Sequence, residues 1–140
     1  MLVGVITAFI VLVVIYGYVA FRPVPPIEAD FGPEKLSFPV ATPPDEAFKV
    51  IEALPASARQ YKLGRADAGK RRVILTSGMT NRSFGYFYPV DIAPAAAGSE
   101  ITVGIKSKYP LQFGPIVRKQ RQTQHALVIA DIKAKLAGVI

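Results

Sequence analysis

The chain has 140 residues, a formal net charge of +7 and no cysteine. That length leaves room for one folded domain and excludes two. The missing cysteines exclude disulfides and thiolate metal ligands, and a chain without disulfides fits a reducing compartment. All seventeen Lys and Arg and all ten acidic residues lie beyond position 21, so the whole net charge belongs to the remainder.

The segment from Leu2 to Phe21, LVGVITAFIVLVVIYGYVAF, carries no charge. At about 1.5 Å per helical residue it spans roughly 30 Å, the hydrocarbon thickness of a bilayer. Its Leu, Ile, Val and Phe content favours insertion by on the order of 5 kcal/mol, and Thr7 can return its hydroxyl to the helix backbone. Tyr16, Tyr18 and Arg22 gather at the far end, where rings and a cation suit the headgroup layer. A cleaved signal peptide is the main competitor, but no Lys or Arg precedes the apolar run, and a cut after Ala20 would place Tyr18 where a small residue is wanted. A lipoprotein is excluded by the absent cysteine. A buried core helix rarely shows such a run at a terminus. Arg22 and Lys35 follow the span and only the α-amino group precedes it, which favours a cytoplasmic C-terminal domain.

Residues 22–34, RPVPPIEADFGPE, hold prolines at 23, 25, 26 and 33. Proline fixes φ and removes a donor, so this segment reads as an extended, semi-rigid stalk. Leu36, Phe38 and Val40 then alternate in a short strand that Pro39 confines to an edge. A helix follows: Thr42 can cap it, Pro43 and Pro44 suit its first turn, and Asp45 and Glu46 complement its dipole. Ala47, Phe48, Ile51 and Leu54 recur at helical spacing, and Pro55 ends it.

Residues 59–65 and 71–77 read as two strands around a turn at Asp67-Ala68-Gly69-Lys70. Gly78 to Asn81 breaks the run. Residues 83–92, SFGYFYPVDI, form an aromatic strand with Phe84, Tyr86 and Tyr88 on one face and Phe87 on the other. PAAAGS at 94–99 is a flexible turn. A strand over 100–109 turns Ile101, Val103 and Ile105 inward, puts Lys106 and Lys108 on the other parity, and closes at Pro110. A long helix spans 115–137. Its first half is polar, with Arg118, Lys119 and Arg121. Its second half aligns His125, Val128, Ile132 and Leu136, and Gly138 stops it.

The fold class expected is α+β. A single N-terminal transmembrane helix precedes a small domain of about five antiparallel strands, packed with a short helix and a long C-terminal helix. The segments are an anchor over 1–22, a Pro-rich stalk over 23–34 and the domain over 35–140. The stretches FPVATPPDEAFKVIEAL and SEITVGIKSKYP, the latter followed by the long helix, give an element order over residues 35–137. That order resembles the helix-grip arrangement of the START-like, polyketide-cyclase-like superfamily, often called SRPBCC. The resemblance implies a cavity between sheet and long helix for a lipid or other apolar ligand. A two-layer sandwich without a cavity fits the same pattern.

No enzyme and no cofactor are expected. Metal sites need clustered ligands, and the one histidine, His125, lies on an apolar helical stripe where a packed, hydrogen-bonded role is the simpler reading. GRADAGKR misses the P-loop spacing and has no Ser or Thr after its lysine. Two basic groups, Lys70, Arg71 and Arg72, and Arg118, Lys119 and Arg121, are candidate contacts for anionic lipid or an acidic partner, against a plain solvated face. Phe84, Tyr86, Tyr88 and His125 are the candidate apolar interface or cavity, and Tyr16, Tyr18 and Arg22 the membrane interface. The function expected is a non-enzymatic single-pass membrane protein, an accessory or interaction subunit of a membrane-associated complex. The alternative is a membrane-tethered binding module for a lipid or apolar ligand. Expected partners are the bilayer and a protein. Nucleic acid is disfavoured because base-reading motifs are missing.

Overall fold

The computed structural model describes residues 1–78, 85–108 and 114–138. The apolar N-terminal run forms α1 (Leu2–Ala20), with the Thr7 hydroxyl donating to the Val3 carbonyl. Its window Leu2–Val19 is long and apolar enough to cross a membrane, and nearly all of it is exposed. Then come β1 (Leu36–Val40), α2 (Pro44–Glu52), the single turn α3 (Leu54–Ser57), β2 (Tyr61–Asp67), β3 (Arg72–Ser77), β4 (Tyr86–Ala95), β5 (Gly98–Val103), β6 (Lys106–Ser107) and α4 (Pro115–Leu136). The architecture is α+β.

The strands make one antiparallel sheet in the order β1-β5-β4-β3-β2, with β6 continuing the β5 edge against β4. Strand parity sorts the side chains. Phe38, Val73, Leu75, Tyr86, Tyr88, Val90, Ile101 and Val103 enter one core with Phe48, Ile51 and Leu54, and with Val128, Ile129 and Ile132 of α4. This is the inner layer, which fills with the residues read as apolar stripes. The aromatic strand keeps its expected parity for Tyr86 and Tyr88 against Phe87, whereas Phe84 lies outside the described residues.

Several boundaries differ from the sequence expectation. Thr42 does not cap α2; Pro43 takes that position without a side-chain cap, and Pro44 begins the helix. Pro55 does not simply end a helix but enters the first turn of α3. The strands expected from residues 59 and 71 begin at Tyr61 and Arg72. The turn between them follows the expectation, with Asp67 accepting the Lys70 backbone N–H. Within PAAAGS the turn is confined to Ala96-Ala97: β4 runs on through Pro94 and Ala95, and β5 resumes at Gly98, pairing Ala95 with Gly98. The strand expected over 100–109 breaks after Val103 and resumes at Lys106; Tyr109 and Pro110 lie outside the described residues.

That break has a local cause. Gly104 N–H donates to the Pro89 carbonyl at 2.8 Å. A residue's N–H and C=O point to the same side of an antiparallel strand, so the proton Pro89 lacks is missing on this side too. The ladder gives way where proline removes a donor.

Candidate functional site

The segment 22–34 does not stand free as a stalk. It runs across the outer face of the sheet, opposite the inner core. Arg65 donates to the Pro25 carbonyl at 2.8 Å and to the Val24 carbonyl at 3.2 Å. Arg72 donates to the Ile27 carbonyl at 3.3 Å and lies 5.0 Å from the Phe31 ring centroid. Three carboxylates along the linker each meet a base of the body: Glu28 with Lys70, Asp30 with Lys106, and Glu34 with Arg121. Two glycines make the approach possible. A Cβ on Gly64 would stand 3.0 Å from Val24 Cγ1, and one on Gly104 would stand 2.3 Å from the Phe31 carbonyl oxygen. Ile74, Thr76 and Phe87, which point away from the helices, are consequently buried. The last turn of α1 shares in this cover, with Val19 only 3% exposed.

The basic candidates fall into different settings. Lys70 pairs with Glu28, and Arg71 with Asp45 at the start of α2. Arg72 pairs with Asp91 across the sheet. Arg121 grips Glu34 through Nε at 2.8 Å and its terminal nitrogen at 2.5 Å, while Arg118 and Lys119 are exposed. No contact among the described residues joins the two basic groups. Tyr18 and Arg22 stack and hydrogen-bond at the end of α1; Tyr16 is exposed beside them.

The Arg121 guanidinium holds the Glu34 carboxyl below its ordinary range, with its hydrogen bonds as the leading cause. A depressed carboxylate stabilises the fold above its unfolded value, and that stability is lost as pH falls through the folded value. Stability is therefore expected to fall below about pH 4.5, with the exposed Glu28 and Asp30 shifted in the same direction. Glu34→Gln should cost about 2 kcal/mol at neutral pH. Melting temperatures between pH 7 and 3 check this: the acid dependence should shrink in the variant.

Between sheet and α4 the polar groups are few and mostly satisfied. His125 Nε2 lies 2.9 Å from the Val103 carbonyl, a buried and hydrogen-bonded histidine as its stripe position suggests. The Tyr61 hydroxyl donates to Asp131 at 2.6 Å, and the Ser77 and Tyr88 hydroxyls meet at 3.1 Å. Tyr86 differs. Its side chain is 1% exposed, yet its hydroxyl has no hydrogen-bond partner among the described residues. Burial pushes its phenol up, with Arg121 and Glu34 as the nearby charges. Among the described residues no group of three or more His, Asp or Glu comes together as a metal set. The middle of this layer is filled by Ile51, Leu54, Tyr88, Val128 and Ile132. Clefts open instead along the linker and α1, one of about 800 Å³ lined by Phe21, Pro23, Phe87 and Lys106.

Sequence reasoning missed the linker's role and the approach of Lys62 and Lys108 to Arg22 at the end of α1. One signal was present: the linker's acids at 28, 30 and 34 share strand parity, and the body that follows is strongly basic.

No protein-family model matches the chain, and no curated protein matches it at a significant level. Solved structures do. The crystal structure of Ara h 8.0201, a Bet v 1-like protein, superposes with a TM-score of 0.59 at 13% identity, covering 75% of this chain and 95% of that one. Protein MLL2253 from Mesorhizobium loti superposes with a TM-score of 0.53 at 10% identity, covering 75% and 93%. At such identities the likeness concerns fold alone. The sheet gripping a long C-terminal helix is the helix-grip fold that the element order led one to expect.

Proposed function

We propose that this is a single-pass membrane protein whose helix-grip body works, without catalysis, as a binding module for an apolar ligand at the bilayer surface. Its C-terminal body lies on the cytoplasmic side. The observation that carries the reading is Tyr86. A buried hydroxyl without a partner costs about 1–3 kcal/mol, and this one sits between sheet and α4. A carbonyl or hydroxyl oxygen on an otherwise apolar ligand would satisfy it. Such a ligand would have to part the layer beneath the polar half of α4, on the side of Tyr86 that faces Arg121 and Glu34. Support also comes from the exposed apolar α1, which suits lipid, and from the linker, which fixes the body close to the anchor.

The test is native mass spectrometry of the full-length protein extracted in mild detergent. A retained apolar molecule is expected, with occupancy reduced about fivefold in Tyr86→Phe, the loss of one hydrogen bond. Thermal stability of that variant should be equal or higher, because the uncompensated hydroxyl is gone. An empty wild-type protein, or a Tyr86→Phe variant as fully loaded, would sink the reading. The second reading, an accessory subunit meeting a protein partner, draws on Ile116 and Leu127, which are exposed on α4. A pull-down from membranes in which their alanine variants lose a stoichiometric partner would favour it.

A further inference from the structure

Beside the last turn of α1 lies a second, smaller groove of about 360 Å³. Tyr16, Arg22, Lys62, Thr76, Phe87 and Lys108 form its walls. Lys108 is the unusual member. It is 9% exposed, and its ammonium lies 5.2 Å from the centroid of the Phe87 ring. No carboxylate pairs with Lys108, Lys62 or Arg22 among the described residues. Segments 79–84 and 109–113, as sequence, contain no Asp or Glu to supply one.

The contrast with the linker is informative. There each base that an acid can reach is matched, Lys70 by Glu28, Lys106 by Asp30 and Arg121 by Glu34. At the groove three cations stand without a carboxylate among the described residues. Lys108 is largely buried while Lys62 and Arg22 reach solvent beside it, and a partly desolvated cation without a counter-charge favours an anion that can reach it. Burial holds the Lys108 ammonium below the ordinary lysine range, and Lys62 pushes the same way, so the site as it stands is short of negative charge.

We propose that this groove binds the phosphate headgroup of one anionic phospholipid, held by Lys108, Lys62 and Arg22 beside the end of α1. The lipid is the favoured source of the phosphate because of position. The groove's walls include Tyr16 and Val19 of α1 itself, so a headgroup would reach the cations while its acyl chains follow the apolar helix. The inference rests on α1 lying in a bilayer, and not on what binds beside Tyr86.

The test places the full-length protein in nanodiscs holding equal parts phosphatidylcholine and phosphatidylglycerol. Lipids still bound after transfer to mild detergent are counted by native mass spectrometry. One phosphatidylglycerol per protein is expected, with preference over phosphatidylcholine reduced about fivefold by either Lys62→Gln or Lys108→Met. Lys49→Gln, the same charge change on α2, should leave it unchanged. Lys62 is exposed, so its variant decides the matter if Lys108→Met fails to fold. Tyr86→Phe should keep the phospholipid even where it loses an apolar ligand, which separates the two sites. Equal retention of both lipids, or a loss in Lys49→Gln as large as in Lys62→Gln, would overturn the site. Displacement of phosphatidylglycerol by millimolar inorganic phosphate would overturn the lipid in favour of a soluble anion.

Discussion

Gly104→Val is expected to detach the linker from the sheet and to destabilise the body by about 3 kcal/mol, the upper range for forcing atoms into a filled space. The reason is geometric. A Cβ at this position meets the Phe31 carbonyl oxygen at 2.3 Å and two further Phe31 atoms at 2.8 Å. Backbone cannot yield as a flexible side chain can, so either the linker leaves or the β5–β6 break is remade. Departure of the linker would strip cover from Ile74 and Phe87 on the outer face and would open the ion pairs of Glu28 and Asp30. Two readouts separate this from general unfolding. Endoproteinase Glu-C should cut after Glu28 or Glu34 well before it degrades the body, and the denaturation midpoint should drop while the far-ultraviolet spectrum stays native. A linker as resistant as in the wild type would show that the close packing at Phe31 does not hold it.

The second large effect is alkaline unfolding. Tyr61, Tyr86 and Tyr88 are all buried, and burial is the leading cause that raises each phenol above its ordinary value. The Tyr61 hydroxyl is raised further because it donates to the Asp131 carboxylate, a bond that exists only while it keeps its proton. Tyr88 moves from 10.0 to about 12. A group that holds its proton more tightly when folded stabilises the fold fully below its unfolded value, and that stability disappears as pH rises through the folded value. The window is therefore pH 10 to 12. For Tyr88 alone the displacement corresponds to about 3 kcal/mol, a substantial share of a small domain's stability. In a spectrophotometric titration, tyrosinate absorbance from these three should rise together with loss of circular dichroism. Smooth ionisation of every tyrosine near pH 10 with the fold intact would contradict it. Tyr61→Phe should blunt the transition, since it removes one of the three coupled groups.

Much of the inner layer was legible from residue spacing because a single physical rule governs it. Residues 128, 129 and 132 of α4 and 101, 103 and 105 near the end of the sheet bury their apolar sides, and period alone assigns those sides. The Asp67 turn and the acidic first turn of α2 were legible because local chemistry decides them, although Pro43 and not Thr42 stands at the cap position. The outer layer was not, because its cover comes from a segment with no period. Four prolines in thirteen residues say that segment 22–34 is extended, and an extended chain can stand away from a sheet or lie on one equally well. Only the partners decide, and they are far away in sequence: Arg65 for Val24, Gly104 for Phe31, Arg121 for Glu34. Pro94 misled for a related reason. It sits near the end of β4 opposite Ser99, where the hairpin tolerates a residue that cannot donate. For the site, the hydrogen-bonded role of His125 could be read from its stripe. The orphaned Tyr86 hydroxyl could not, because satisfaction is a property of neighbours and not of a residue type.

The pairing of β1 with β5, Leu36 against Val103, has a consequence for biogenesis. A ribosome delivers α1 and β1 early, but their seats on β5, β6 and Gly104 emerge some seventy residues later. Hairpins β2–β3, β3–β4 and β4–β5 can close as they appear, whereas the edge strand and the linker must wait, a separation that slows the final step. For that interval the nascent chain carries Phe87 and Ile74 uncovered. Maturation should therefore end with β1 and the linker locking down last, and a chaperone would find its substrate in that unfinished outer face.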